Sequence, residues 1–172
     1  MPELILVLEK DKIQKIVADV ADKISTDYQN KELILLGVLK GSFIFLSDLM
    51  RRLSIQAKVD FIGASSYGSG TSSSEKITIT KDITIDIRNK DLLVVEDIID
   101  TGFTLAYVIE YLKSFGPNSV KVCALLDKKE RRQRAVCIDY IGYEVETGFL
   151  VGYGLDFNEK YRNLPDIYHL KI

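Results

Sequence analysis

Leu92–Val95 is an apolar run, Leu105–Phe115 carries Leu105, Val108, Ile109 and Leu112 at helical spacing, and Gly116-Pro117 ends the pattern. Between them lies Glu96-Asp97-Ile98-Ile99-Asp100-Thr101-Gly102-Phe103-Thr104. A buried strand that passes into a helix across so short a polar join demands a βα unit, and a strand of that kind belongs in a mainly parallel sheet. In such sheets ligands bind at the carboxyl ends of the strands, so the join is the first place to look for a site.

The rest of the chain fits that frame. Ile13, Ile16, Val17, Val20 and Ile24 predict an amphipathic helix over 10–28. Leu33–Leu39 reads as a strand buried on both faces, Ser42–Leu53 as a second helix and Val59–Ala64 as another strand. Ser65 to Ser74 has loop composition. Isoleucines at 77, 79, 83, 85 and 87 alternate as in paired antiparallel strands over Lys76–Ile87. Val120–Leu126, Val136–Ile141 and Phe149–Val151 supply further strands. The fold class is therefore α/β: a mostly parallel twisted sheet flanked by helices, with an antiparallel flap. At 172 residues this is expected to be a single domain.

The chemistry of the join follows from its residue types. Asp100 to Thr104 present hydroxyls and backbone N–H groups at a helix N-terminus, the arrangement a phosphate needs. Gly102 lets backbone approach closely. Glu96 and Asp97 would repel a bare phosphate, so they point to ribose hydroxyls, Mg²⁺ or both. Helix capping accounts for one or two polar residues at such a place, not for three acids. Lys40 and Lys128, each at a strand end, read on their own as solvated lysines. Lys40 precedes Gly41 where an anion contact is physically reasonable. Phe149 by itself is a core aromatic. Cys123 and Cys137 lie in apolar runs and are expected to be buried free thiols.

These motifs resemble the type I phosphoribosyltransferases, in the Glu96-Asp97-Ile98-Ile99-Asp100-Thr101-Gly102 form of the hypoxanthine-guanine enzymes. Leu39-Lys40-Gly41 resembles that family's pyrophosphate loop, whose leucine–lysine bond is typically cis. Ser65-Ser66-Tyr67-Gly68 resembles its closing loop (about 65–76), and Leu125-Leu126-Asp127-Lys128 the strand bearing its purine-recognition lysine. Phe149 to Arg162 is similar to its base-binding C-terminal hood, about 149–172 together with N-terminal residues. The resemblance implies the type I fold with a small hood. It assigns 5-phosphoribosyl 1-pyrophosphate to Lys40, Gly41, Glu96, Asp97, Asp100, Thr101, Gly102, Phe103, Thr104 and Arg162. It assigns the purine to Ile98, Lys128, Phe149, Leu150 and Asp156. Ser66 and Tyr67 belong to the closing loop, Mg²⁺ to Glu96, Asp97 and Asp156, and general-base catalysis to Asp100. Phe103 departs from the family, where several relatives carry lysine or another polar residue.

The implied reaction is purine salvage: hypoxanthine or guanine, with xanthine a further candidate, becomes IMP or GMP. Lys128 donating to a 6-oxo group would disfavour adenine. A homodimer or homotetramer is expected from the resemblance. The net charge of −2 gives no reason to expect nucleic acid, which weakens the alternative of an RNA-binding nucleotide sensor on the same fold. No membrane partner is expected, and the reading is cytoplasmic. Lys128-Lys129-Glu130-Arg131-Arg132 reads as a solvated charge run, and His169, the sole histidine, has no catalytic role.

Overall fold

The computed structural model describes residues 2–67 and 76–171. Five strands run parallel: β2 (Leu33–Leu39), β3 (Ala57–Tyr67), β5 (Asp91–Ile99), β6 (Ser119–Lys128) and β7 (Tyr140–Val145). β4 (Lys76–Lys81) pairs antiparallel with β3, giving the sheet order β4-β3-β2-β5-β6-β7. Helices α1 (Lys10–Asp27) and α2 (Phe43–Arg52) contact each other and one face of the sheet, while α3 (Phe103–Lys113) packs on β3 and β6.

Alternation along the strands separates two apolar cores. Leu33, Leu35, Leu93, Val95, Cys123 and Leu125 face α1 and α2, with Ile13, Val17, Ile24, Phe45 and Leu49. Ile34, Leu36, Val94, Val122 and Ala124 meet Leu105, Val108 and Leu112 of α3 on the other side. The strands between them are buried on both faces, which is why their sequences are almost unbroken apolar runs.

A second, antiparallel sheet of order β1-β9-β8 joins the chain ends, from β1 (Glu3–Leu8), β9 (Ile167–Lys171) and β8 (Leu150–Val151). Leu8, Leu150, Tyr153, Leu155 and Ile167 enter the α1/α2 core and seat this hood on the main sheet.

Some elements differ from their sequence reading. Only Lys76–Lys81 forms a strand in the alternating isoleucine segment. Beyond it the Asp60 carboxylate accepts the backbone N–H groups of Thr84 (2.6 Å) and Ile85 (3.1 Å). Ile83 and Ile85 pack on the α3-side core and Ile87 is buried in it, so the period of two reflects packing without pairing. Val136–Ile141 is extended only from Tyr140, because Asp139 exchanges hydrogen bonds with the Val122 backbone instead. Cys123 is buried as expected, but Cys137 is exposed. β3 continues through Ser65, Ser66 and Tyr67, so these three begin as strand, and 68–75 lie outside the described residues. Strands β1 and β9 had no sequence expectation. No helix among the described residues is long and apolar enough to cross a membrane.

Candidate active site

Sheet order reverses at β2, which has β3 on one side and β5 on the other. The crevice at this switch point opens over the carboxyl ends of β2 and β5. It is a cleft of about 400 Å³ whose walls include Lys40, Gly41, Glu96, Asp97, Asp100, Thr101, Lys128, Phe149, Asp156 and Arg162. The Leu39–Lys40 peptide at its edge is cis, as the resemblance implied. Gly41 is required here by space: a Cβ would overlap the Asp97 carboxylate.

Beyond β5 the chain turns through Gly102, whose φ of 88° is left-handed and whose Cα faces the Arg134 carbonyl. No side chain caps α3, so Asp100 and Thr101 are not spent on that task. The first N–H groups of a helix have no partner within it, and here they border the cleft. Arg132 holds the turn from behind. Its Nε donates to the Asp100 carbonyl (2.7 Å), and its Nη2 to the Ile99 carbonyl (3.0 Å) and the buried Asp127 carboxylate (2.5 Å). Thr101 O accepts from Gln133 and Arg134 N–H, which completes the brace. The charge run 128–132 is therefore only in part a solvated face: Lys129, Glu130 and Arg131 are exposed, but Lys128 is 5% exposed and Arg132 fastens the loop.

Glu96 and Asp97 keep an edge toward solvent, yet both are surrounded closely enough for desolvation to dominate. Burial raises the Glu96 carboxyl well above its ordinary value, and the Asp97 charge adds to the effect. Burial likewise pushes Asp97 up to about 6, against the Ile98 N–H and Arg162, which favour the ionised form. Across the cleft Arg162 donates to the Gly154 carbonyl (2.7 Å) and pairs with Asp156 (3.1 Å), while Lys40 pairs with Glu159 (3.2 Å). Among the described residues no three acidic, histidine or cysteine side chains converge as a metal cage. Crowded carboxylates that resist ionisation do suit a hard divalent cation bound through few protein oxygens, with the remaining ligands coming from substrate and water.

At the other end Lys128 Nζ donates to the Gly148 carbonyl (3.0 Å) and pairs with Asp100 Oδ2 (3.2 Å). An ammonium has three donors, so one N–H is left for a ligand. Asp100 also meets Arg131 (3.5 Å), and its Oδ1 is buried with no hydrogen-bond partner. Phe149 is 46% exposed and held edge-on by Phe157, leaving an aromatic surface in the cleft wall.

Comparison with known proteins meets this geometry. Residues 7–158 match the phosphoribosyl transferase domain. The chain belongs to the phosphoribosyltransferase family. The hypoxanthine-guanine phosphoribosyltransferases of Staphylococcus aureus and Aquifex aeolicus are each 44% identical to it, over 96% of this chain and 93% and 94% of theirs. A crystal structure of hypoxanthine phosphoribosyltransferase from Staphylococcus aureus superposes with TM-score 0.93 at 43% identity, covering 96% of this chain and 90% of that one. One of a hypoxanthine-guanine phosphoribosyltransferase from Bacillus anthracis gives 0.92 at 38%, covering 99% and 100%. The fold is the type I phosphoribosyltransferase fold, and the chain is a phosphoribosyltransferase.

Placement of the expected residues in this phosphoribosyltransferase is uneven. Lys40, Gly41, Glu96, Asp97, Ile98, Asp100, Thr101, Gly102, Thr104, Lys128, Phe149, Leu150, Asp156 and Arg162 all line the cleft. The Phe103 side chain does not; it lies in a separate groove with Ile77, Ala106, Tyr107 and Arg134, so only its backbone can serve a phosphate. Ser66 is exposed on β3, paired with Ile77 of β4, outside the cleft wall. Tyr67, at the end of that strand, lies opposite Lys76 in the ladder. Sequence reasoning missed Arg132, because nothing in a run of charges says which one turns inward.

Replacing Arg132 by Met keeps the stem but strands the Asp127 carboxylate, so unfolding free energy in urea should drop by about 3 kcal/mol. Asp97 titrates with the opposite sign to a stabilising carboxylate. Its folded pKa of about 6 exceeds the ordinary 3.8, so ionising it costs stability as pH rises between these values. Asp97→Asn should therefore be more stable than the native chain above pH 6 in metal-free buffer. That gain should shrink as pH falls and vanish below the ordinary carboxylate range, as read by urea denaturation across pH.

Proposed function

We propose that this phosphoribosyltransferase is a Mg²⁺-dependent purine salvage enzyme. It transfers the 5-phosphoribosyl group from 5-phosphoribosyl 1-pyrophosphate to N9 of hypoxanthine or guanine, giving IMP or GMP and pyrophosphate. The observation that carries the reading is the Lys128 ammonium. It is fixed by Gly148 and Asp100, with one donor uncommitted, beside an exposed Phe149 face. A planar base stacked on that ring meets a cation that rewards a 6-oxo acceptor and gains nothing from a 6-amino group.

The remaining residues divide the substrate between them. The Asp100–Thr104 turn takes the 5′-phosphate through backbone N–H groups and hydroxyls. Glu96 and Asp97 take the ribose hydroxyls, and Lys40, Gly41 and Arg162 face the diphosphate. Glu96 and Asp97 would hold Mg²⁺ together with substrate oxygens, and Asp156 would help hold a second; the metal would neutralise the departing pyrophosphate. Positive charge develops on the ribose as the C–O bond breaks, and N9 of the base forms the new bond. Asp100 is the general base or hydrogen-bond partner at N7; its Oδ1, buried in this structure, has no protein partner. Residues 1–172 act as one domain, assembled as a homodimer or homotetramer in the cytoplasm, with no nucleic-acid or membrane partner.

The assay supplies 5-phosphoribosyl 1-pyrophosphate and Mg²⁺ with hypoxanthine, guanine, xanthine or adenine in parallel. Nucleotide should form from 6-oxopurines and not from adenine. Binding of these ligands without any product would overturn the reading in favour of a nucleotide sensor. In the same assay Asp100→Asn should lower kcat by about 10²-fold or more. Full turnover by that variant would remove Asp100 from proton transfer.

A further inference from the structure

The sole histidine lies on β9 of the hood, beyond the Phe149–Arg162 stretch, yet it touches the loop that serves Lys128. His169 Nε2 is 2.6 Å from the Thr147 carbonyl. A carbonyl only accepts, so the ring must carry its proton on Nε2 and donate. The same edge of the ring covers Gly148, where any Cβ would overlap Nε2 and Cε1. Gly148 has a φ of 100°, a conformation glycine adopts without strain. Its carbonyl is the acceptor that holds Lys128 Nζ at 3.0 Å, and its N–H donates to Glu130 at 3.2 Å. On the far side of this loop Leu150 pairs with His169 in the β8–β9 ladder, and Leu170 N–H donates to the Phe149 carbonyl (2.8 Å). The ring thus sits behind the one peptide that aims the lysine, and its strand anchors the two residues that form the base platform.

We propose that His169 is a positioning residue for the purine: through Thr147 and Gly148 it sets the carbonyl that directs the Lys128 ammonium toward the 6-oxo group. The inference rests on the reading of Lys128 as the base donor. Removing the ring frees the 147–148 loop, so the ammonium keeps its Asp100 partner but loses the fixed position of the other, while the phosphate turn and the diphosphate end are unaffected. The base should therefore bind more weakly with the other substrate unaffected.

Steady-state kinetics on native protein, His169→Ala and His169→Gln test this, with thermal unfolding measured alongside. His169→Ala should raise KM for hypoxanthine and guanine about fivefold, the worth of one hydrogen bond. Its KM for 5-phosphoribosyl 1-pyrophosphate and its kcat should stay near native. His169→Gln, whose amide N–H can replace the Nε2 donor, should restore most of the base affinity. An unchanged base KM in His169→Ala, or equal weakening for both substrates, would overturn the proposal. If native protein makes no nucleotide from any base, the functional reading is what fails. The positioning itself is then decided by the ¹³Cε signal of Lys128: a shift between native protein and His169→Ala supports it, and identical spectra overturn it.

Discussion

Three segments far apart in sequence meet at Gly41. Its Cα faces the Asp97 carboxylate, and its carbonyl lies against the Cα of Gly154 in the hood. A Cβ at Gly41 would displace the Asp97 carboxylate, and one at Gly154 would strike the Gly41 carbonyl and push the hood from β2. The cleft exists because β2 and β5 are neighbours at the switch point and end side by side, with hood residues closing over the gap. That approach brings Lys40 on the β2 side, Glu96 and Asp97 on β5 and Phe149 and Arg162 of the hood, which are otherwise on separate segments, to one cleft.

Charge is distributed to suit an anionic ligand that arrives with a cation. Glu96 and Asp97 are held where ionisation is costly, and the raised carboxyls record how much a positive partner would be favoured there. The basic groups opposite are engaged by hood acids, but unequally. Lys40 and Glu159 are each about two-thirds exposed, a pairing of little net worth, so a diphosphate can take Lys40 at small cost. Arg162 is much less exposed and also bonds the Gly154 carbonyl, so it stabilises the hood as well as facing the cleft. Lys128 and Asp100 are paired, leaving one ammonium N–H and one buried carboxylate oxygen without a hydrogen-bond partner in the protein.

The local part of this design was legible in sequence. A βα unit writes its strand, turn and helix consecutively, so residue order alone located Glu96 to Thr104 at a strand-to-helix join, and the buried strands betrayed themselves by unbroken apolar runs. What failed was whatever depends on distant neighbours. Ile83 and Ile85 alternate like a strand because they pack on a core, while Asp60 takes the backbone donors that pairing would have used. Arg132 turns inward because the buried Asp127 carboxylate and two strand-end carbonyls await it, and Phe103 turns outward because its helix presents that face to β4. β1 is a strand because it pairs with β9, which lies between it and β8, partners distant in sequence.

That division has a functional consequence. The Asp100–Thr104 turn, the proposed phosphate end, is built from consecutive residues between β5 and α3 and braced by Arg132. The base end is assembled from Lys128 on β6 and from a hood whose strands come from both ends of the chain. Its link to the main core runs through Tyr153, whose hydroxyl donates to Asp48 of α2, and through Leu155 and Ile167 packed beneath. On the proposed reading, substitutions in the hood bear first on the base, although the two ends are linked through the Asp100–Lys128 pair, the Arg132 brace between Asp100 and Asp127, and the contact at Gly41.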